Sequence, residues 1–213
     1  VSDWSSDVCS SDLRRIFVSR IPGRRLRRPS AEQVDEALKS LRLSRPFVLH
    51  VSRYSDSRKN ALRLLGACSK VGIKLVIVGS GERNEVQQRL AEVALRWPDR
   101  LVILGELDDA RLAALYSACF AFALPSLHEG VGMAALEAAD LGAPIVITRN
   151  GGPMDYFGSE VAYVDPYSEA DIACALERAR SQKVNATREH LELLLRPEAR
   201  LDPLIAAYAL ALE

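Results

Sequence analysis

Aromatic residues make up only 6% of this 213-residue chain, histidine occurs three times, and the longest apolar runs are strand-length. A bilayer span needs roughly 20 consecutive apolar residues, so no transmembrane segment is predicted. Cysteine is sparse too: positions 9, 68, 119 and 174 show neither C-x-x-C nor Cys/His ligand spacing, which argues against the common zinc and dithiol motifs. Two of the four sit in periodic apolar patterns, and buried thiols in a reducing cytoplasm are the expectation. Net charge is also absent, since 28 Lys and Arg balance 28 Asp and Glu. What remains, 48% hydrophobic and 26% charged residues, is an ordinary soluble composition, long enough for one large domain with a proper core.

The neutral total hides a local bias. Arg14, Arg15, Arg20, Arg24, Arg25, Arg27 and Arg28 crowd one stretch with no acidic residue among them. A solvated linker is the plain reading of residues 14–45, or a remnant of an upstream region, with peripheral contact at an anionic membrane face as the other use of such charge. Only Phe17 is interleaved as a stacking platform, so no nucleic-acid partner is expected. Before it, Asp3 to Leu13 reads DWSSDVCSSDL and resembles the in-frame translation of a sequencing adapter. It has no basic start, apolar core or small-residue cleavage site, so it is no signal peptide. Residues 1–13 are therefore excluded from fold reasoning, and the native protein is expected to continue upstream of Arg14.

From Pro46 onward, short β-rich runs alternate with helix-period segments, the signature of a parallel sheet with crossover helices. Strands are predicted at Phe47–Val51, Lys74–Val78, Leu101–Leu104, Phe120–Leu124, Ile145–Thr148 and Val161–Val164. Helices are predicted at about 59–70, 84–96, 109–118, 132–141 and 168–181. The continuous apolar run Leu75-Val76-Ile77-Val78 argues for strands covered on both faces. The fold class is thus α/β, a doubly wound, Rossmann-like parallel sheet over 46–181, with ligands expected at the carboxyl ends of its strands. Residues 182–213 read as a helical tail, broken near Pro197 and Pro203.

Chemistry gathers in the loops that follow the strands. After the first comes His50-Val51-Ser52-Arg53-Tyr54-Ser55-Asp56-Ser57-Arg58-Lys59-Asn60, a polar loop whose Arg53, Arg58 and Lys59 can clamp a diphosphate. Gly79-Ser80-Gly81-Glu82 follows the second strand but lacks G-x-G-x-x-G spacing and reads as a tight turn. Gly105-Glu106-Leu107 follows the third, where backbone groups can meet a nucleobase. After the fourth stands Glu129-Gly130-Val131-Gly132-Met133-Ala134-Ala135-Leu136-Glu137, which sets two carboxylates and a glycine-rich turn at a strand-to-helix junction. Glycine lets backbone approach an anion, and free N–H groups at a helix start near Gly132 would face it. Glu137, one turn further, has the apolar neighbours Met133, Ala134 and Leu141, so its charge needs donors such as sugar hydroxyls.

Together these pieces carry a family resemblance. The V-S-R loop with R-K-N, the run L-V-I-V-G-S-G, the helix with Leu112 and Leu115-Tyr116, and above all P-S-L-H-E-G-V-G-M-A-A-L-E-A-A-D-L-G-A-P-I-V resemble the C-terminal, donor-binding domain of retaining glycosyltransferases of GT-B fold, family 4 type, also called group 1. Gly151-Gly152-Pro153 and Tyr163-Val164-Asp165-Pro166 follow as in relatives. The resemblance implies that Arg53 and Lys59, or Arg58 in its place, grip the donor diphosphate. In the common pattern arginine and lysine lie five apart, whereas five from Arg53 is Arg58 and six is Lys59. It also implies that Glu129 contacts the donor sugar as the catalytic carboxylate, that the Gly130, Val131 and Gly132 backbone cradles phosphate, and that Glu137 binds ribose hydroxyls. Val131 stands where relatives often have phenylalanine, and His128 is given no catalytic role.

The implied activity is transfer of a hexosyl group, with retention, from a UDP-, GDP- or ADP-linked sugar to a saccharide or glycolipid acceptor, as in bacterial polysaccharide synthesis. No metal and no cofactor beyond the donor are expected. A GT-B enzyme closes two such domains over its substrates and this chain resembles only the second, so the N-terminal domain is an expected partner and the chain alone is expected to turn over little. The other readings are a non-catalytic nucleotide-binding or assembly module and a GT-B nucleotide-sugar epimerase.

Overall fold

A computed structural model describes residues 24–182, 184–194 and 196–211; the adapter-like segment and the arginines before Arg24 lie outside these. The first element is a helix, α1 (Ala31–Ser40), in a stretch whose arginine content predicts a linker. Its signals are local: Ser30 accepts a hydrogen bond from the Gln33 N–H while the Gln33 side chain accepts one from the Ser30 N–H, and Val34, Ala37 and Leu38 bury one face. Then follow β1 (Phe47–Val51), a 3-10 turn at Ser57–Lys59, α2 (Ala61–Val71), β2 (Lys74–Val78), α3 (Glu85–Arg96), β3 (Leu101–Leu104), α4 (Asp109–Ala118) and β4 (Ala121–Leu124). The domain continues through α5 (Met133–Asp140), β5 (Ile145–Thr148), the short α6 (Met154–Phe157), β6 (Ala162–Val164) and α7 (Glu169–Arg178).

All six strands lie parallel in the order β3-β2-β1-β4-β5-β6, the doubly wound order expected from the alternating pattern. The direction of winding reverses between β1 and β4. β1 pairs with β2 along its whole length, from Phe47↔Lys74 to Val51↔Val78, but with β4 only at Val48↔Ala121 and Leu49↔Phe122. Beyond Leu49 the pairing with β4 stops, and the loops that follow the two strands carry the residues of interest.

Alternate strand residues fill two layers of core. Val48, Leu75, Ile77, Ala121, Ala123 and Val146 pack with Leu64 and Leu65 of α2 and Ile172 and Leu176 of α7. Phe47, Leu49, Val76 and Phe122 are equally buried on the other layer, where the Tyr116 ring of α4 meets Phe122 edge-on at 5.7 Å. α1 packs on α4, and α5 on β4 and β5. The buried positions of α5 are Ala135, Leu136, Ala138 and Ala139, mostly small residues that bring helix and sheet close. Cys68 and Cys119 are buried, with burial pushing the Cys119 thiol up to about 12, whereas Cys174 is exposed.

By its contacts the chain divides into Gly23–Leu191 and a second unit that takes in Glu192 onward. α8 (Val184–Leu194) buries Thr187 and Leu191. α9 (Pro197–Ala211) continues through Pro203, where a break is predicted from sequence. The ring removes a single N–H, and the turns on either side keep the helix going. Among the described residues no helix is long and apolar enough to cross a membrane.

Candidate functional site

His50 is the first residue of β1 beyond the last β4 pair, and its side chain reaches across to β4. The ring is fully buried, with Nδ1 2.8 Å from the Ala123 carbonyl and Nε2 2.7 Å from Ser52 Oγ. A carbonyl only accepts, so Nδ1 carries the proton and Nε2 accepts from the Ser52 hydroxyl. Burial lowers the ring to about 4, so it is neutral at pH 7. This buried imidazole therefore ties the start of the Ser52–Asn60 loop to β4.

The loop then turns sharply. The Asp56 carboxylate accepts from the Arg58 N–H at 3.0 Å and opens the 3-10 turn, and Asn60 sits in the left-handed region with φ 62°. This break is why α2 starts at Ala61 rather than at 59. It also sends neighbouring cations in different directions. Arg58 folds back onto Asp56, with Nη2 2.7 Å from Oδ2, and that hydrogen bond holds the Asp56 carboxyl below its ordinary range. Lys59 reaches inward instead, with Nζ 2.7 Å from Glu129 Oε2. Asn60 is buried and donates from Nδ2 to the Pro125 carbonyl at 2.9 Å and the Pro166 carbonyl at 2.7 Å, joining the loops after β1, β4 and β6.

Glu129 is held by side chain and backbone together. Ser126 Oγ donates to the same Oε2 at 2.9 Å, the Glu129 N–H donates to the Asn150 carbonyl at 3.1 Å, and its carbonyl accepts from the Gly152 N–H at 3.1 Å. Asn150 adds a side-chain bond from Nδ2 to the Leu127 carbonyl at 3.0 Å. The loop after β5 lies so close that a methyl group on Gly151 would strike the Glu129 carbonyl, and one on Gly152 the Gly130 carbonyl. Gly132, at φ +80°, starts α5. Gly130 differs from these: like Gly105, it has open space in its Cβ direction and a φ that is not left-handed, so nothing among the described residues calls for glycine there.

Glu137 lies one turn into α5 with its side chain 11% exposed. The hydroxyl of fully buried Tyr116 donates to Oε2 at 3.2 Å, and burial first, then the Glu137 charge, holds that phenol protonated. The other oxygen, Oε1, accepts from Arg24 Nε at 3.3 Å, while Arg24 Nη1 lies 2.8 Å from Asp109 Oδ1.

The fold thus brings Lys59 to Glu129 and sets Gly130, Val131 and Gly132 between the two carboxylates along the chain. Arg53 is exposed at the end of β1, and Arg58 is turned to Asp56. His128 is exposed. The Gly79-Ser80-Gly81 turn is spent on internal packing: Gly79 lies against the Ser52 carbonyl and Gly81 against the Tyr54 ring. Gly105 accepts from the Gly79 N–H at 3.3 Å and has open space in its Cβ direction. His50, Asn60, Tyr116, Asn150 and Arg24 carry no assignment from sequence, although a histidine inside an apolar strand and an asparagine before Gly-Gly are visible signals. Among the described residues, no three His, Cys, Asp or Glu side chains are grouped so as to hold a metal ion. Chemically, the site offers a cation–carboxylate pair, a glycine-rich backbone at a helix start, and a second, largely covered carboxylate held by Tyr116 and Arg24.

The family model for "Glycosyl transferases group 1" matches residues 33–192. This chain belongs to that family. The matched stretch runs from within α1 to the body of α8, and so holds Lys59, Glu129 and Glu137 but not Arg24. The group 1 chain is 30% identical over 158 residues to the serotype-specific mannosyltransferase WbdA of Escherichia coli, covering 70% of this chain and 19% of that protein. Sucrose-phosphate synthase from Thermosynechococcus elongatus superposes with a TM-score of 0.72 at 26% identity, covering 90% of this chain and 51% of that one. The Anabaena protein Alr3699/HepE in complex with UDP and glucose matches with a TM-score of 0.67 at 19% identity, covering 86% and 52%. The group 1 chain thus has the Rossmann-like architecture found in GT-B glycosyltransferases, and spans about half or less of these relatives' lengths.

Proposed function

We propose that this chain carries the donor half of a hexosyl-transferring glycosyltransferase, which moves a sugar from a nucleoside-diphosphate sugar to a saccharide or glycolipid acceptor with retention of configuration. The observation that carries this reading is Gly130, a glycine that nothing among the described residues requires, between a carboxylate paired to lysine and the start of α5. A phosphate approaching that backbone would find the Lys59 ammonium and the positive end of the helix at the same place. Lys59 and exposed Arg53 take the diphosphate, whose charge grows as the anomeric bond breaks, and stabilising that charge is what the cations do for the reaction. Glu129 meets the donor sugar, and Glu137 accepts from the ribose hydroxyls. Arg58, whose exposed side chain pairs with Asp56 in the same loop, stands beside them as the alternative to Lys59.

The two carboxylates therefore serve different parts of one ligand and are not the acid and base pair of a hydrolase. The mannosyltransferase relative supports sugar transfer, and the neighbour solved with UDP and glucose supports a nucleotide among the ligands of this fold. In a GT-B enzyme the acceptor groups stand on the other domain, so the chain alone is expected to bind nucleotide and to turn over little.

Calorimetric titration of the chain with UDP, GDP and ADP tests the reading. One nucleotide binds selectively, and Glu137→Ala weakens it roughly tenfold, the loss of a charge-assisted hydrogen bond. Failure of all three to bind a sample with a cooperative melting transition overturns it, and an unchanged affinity in Glu137→Ala removes the ribose role.

A further inference from the structure

Of the arginines in the described part of the basic stretch, two are used within the chain. Arg28 Nη2 donates to the Asp140 carbonyl at 2.8 Å, at the end of α5, and Arg24 reaches Glu137 one turn earlier on the same helix. Leu26, between them, is buried. Residues 24–28 therefore run alongside α5, anchored at their middle and far end, and this delivers a guanidinium to Glu137. The segment stands outside the stretch matched by the family model, which begins at residue 33.

We infer that Arg24 is a latch on the nucleotide site: it occupies the face of Glu137 that the ribose hydroxyls need, and a nucleotide must displace it. The inference rests on the reading of Glu137 as the ribose-binding carboxylate. Buried Tyr116 donates to Oε2 and Arg24 to Oε1, so each oxygen already has one donor before any diol arrives, and Arg24 is the one that a diol would compete with. The latch is built to open. Arg24 and Asp109 are 51% and 66% exposed, so their ion pair is screened by water and weak. The contact with Glu137 is better shielded but long, at 3.3 Å between Nε and Oε1. A swing of the Arg24 side chain into solvent frees Oε1 and leaves Leu26 and Arg28 in place. A partner that draws Arg24 away, such as an acidic surface, would raise nucleotide affinity without touching the site.

Calorimetry with whichever of UDP, GDP and ADP binds best tests this, using the full chain, Arg24→Ala, Arg24→Lys, Glu137→Ala and the double variant. Arg24→Ala binds nucleotide roughly three- to tenfold more tightly, and Arg24→Lys, which keeps the charge but loses the fork across Asp109 and Glu137, falls between. The gain vanishes in the Glu137→Ala background, since the latch acts only through that carboxylate. If Arg24→Ala is no tighter while Glu137→Ala weakens binding, the latch is overturned and the donor-site reading stands. Weaker binding by Arg24→Ala makes Arg24 a ligand contact and likewise overturns it. If Glu137→Ala binds as well as the unaltered chain, or if no variant binds, the ribose reading fails and takes the latch with it. Melting curves check that each variant folds, which the exposure of Arg24 favours.

Discussion

Glu129 and Glu137 are almost equally covered, 13% and 11% exposed, and each faces one cation, yet they are held in opposite ways. Around Glu129 the support is backbone and covered polar groups: the loop after β5 is locked onto it without room for a methyl, half-buried Asn150 joins it to Leu127, and buried Asn60 and His50 tie the neighbouring loops together and to β4. Of the described partners of the Glu137 carboxylate, Tyr116 is buried, and the cation comes from a half-exposed side chain outside the family-matched stretch. On the proposed reading, Glu129 holds a reacting sugar and gains from rigidity, since small misplacements are costly to catalysis. Glu137, on the same reading, accepts and releases a nucleotide and gains from a partner that can leave.

The contrast is tested first where the support is stiffest. Gly151→Ala forces a methyl toward the Glu129 carbonyl at φ +102° and is expected to cost about 3 to 4 kcal/mol in denaturant unfolding. Gly130→Ala, one residue after Glu129, is expected to cost under about 1 kcal/mol while still weakening nucleotide binding. Equal destabilisation by the two would erase the distinction between a packed and a ligand-facing glycine.

His50 sets the next scale. The folded chain keeps the ring neutral down to about 4, while in the unfolded chain it takes a proton below its ordinary 6.5. Between those values the unfolded state binds the extra proton, so stability is full above pH 6.5 and falls as pH falls, by on the order of 3 kcal/mol on reaching pH 4. Urea titrations from pH 7.5 to 4 should show this slope, and His50→Asn, which keeps a donor toward Ala123, should flatten it. A slope unchanged in the variant would assign the effect to other groups.

Smaller effects separate the cations. Lys59→Ala leaves Glu129 with Ser126 as its side-chain donor and is expected to cost about 1 to 2 kcal/mol. Arg24→Ala is expected to cost less than about 1 kcal/mol, because half of the side chain is already in water. Arg58→Ala, whose exposed side chain pairs two residues back along the same loop, should leave the melting temperature where it was. Thermal melts of the three in one buffer rank them, and a loss at Arg58 as large as that at Lys59 would contradict the inward and outward directions of these neighbours.

The fold is legible in the residues because its signals are local. Apolar runs place β1, β2, β3 and β5 at the observed residues, and β4 and β6 each begin one residue later than their patterns suggest. α1 is also written locally, in its Ser30–Gln33 capping box and the spacing of Val34, Ala37 and Leu38, but the arginines beside it dominate the composition and suggest a linker. The candidate site is legible in kind and illegible in detail. That a cation after β1 should meet an anion follows from the loop's chemistry, yet the choice of Lys59 over Arg58 turns on Asn60 adopting φ 62°, which periodicity does not report. Likewise, a histidine in an apolar strand is visible, but the partners of both ring nitrogens depend on the pairing of β1 with β4 stopping after Leu49.

Periodicity and glycine placement in the chain alone are enough for a doubly wound parallel sheet, with its polar loops at one edge, because each strand and helix is specified within its own few residues. Tertiary structure decided which charges meet. Lys59 and Glu129 are 70 residues apart in sequence, and Arg24 and Glu137 are 113 apart. A side chain's direction at such separations is set by where the sheet reverses and which segment is laid along α5, and no local preference encodes that.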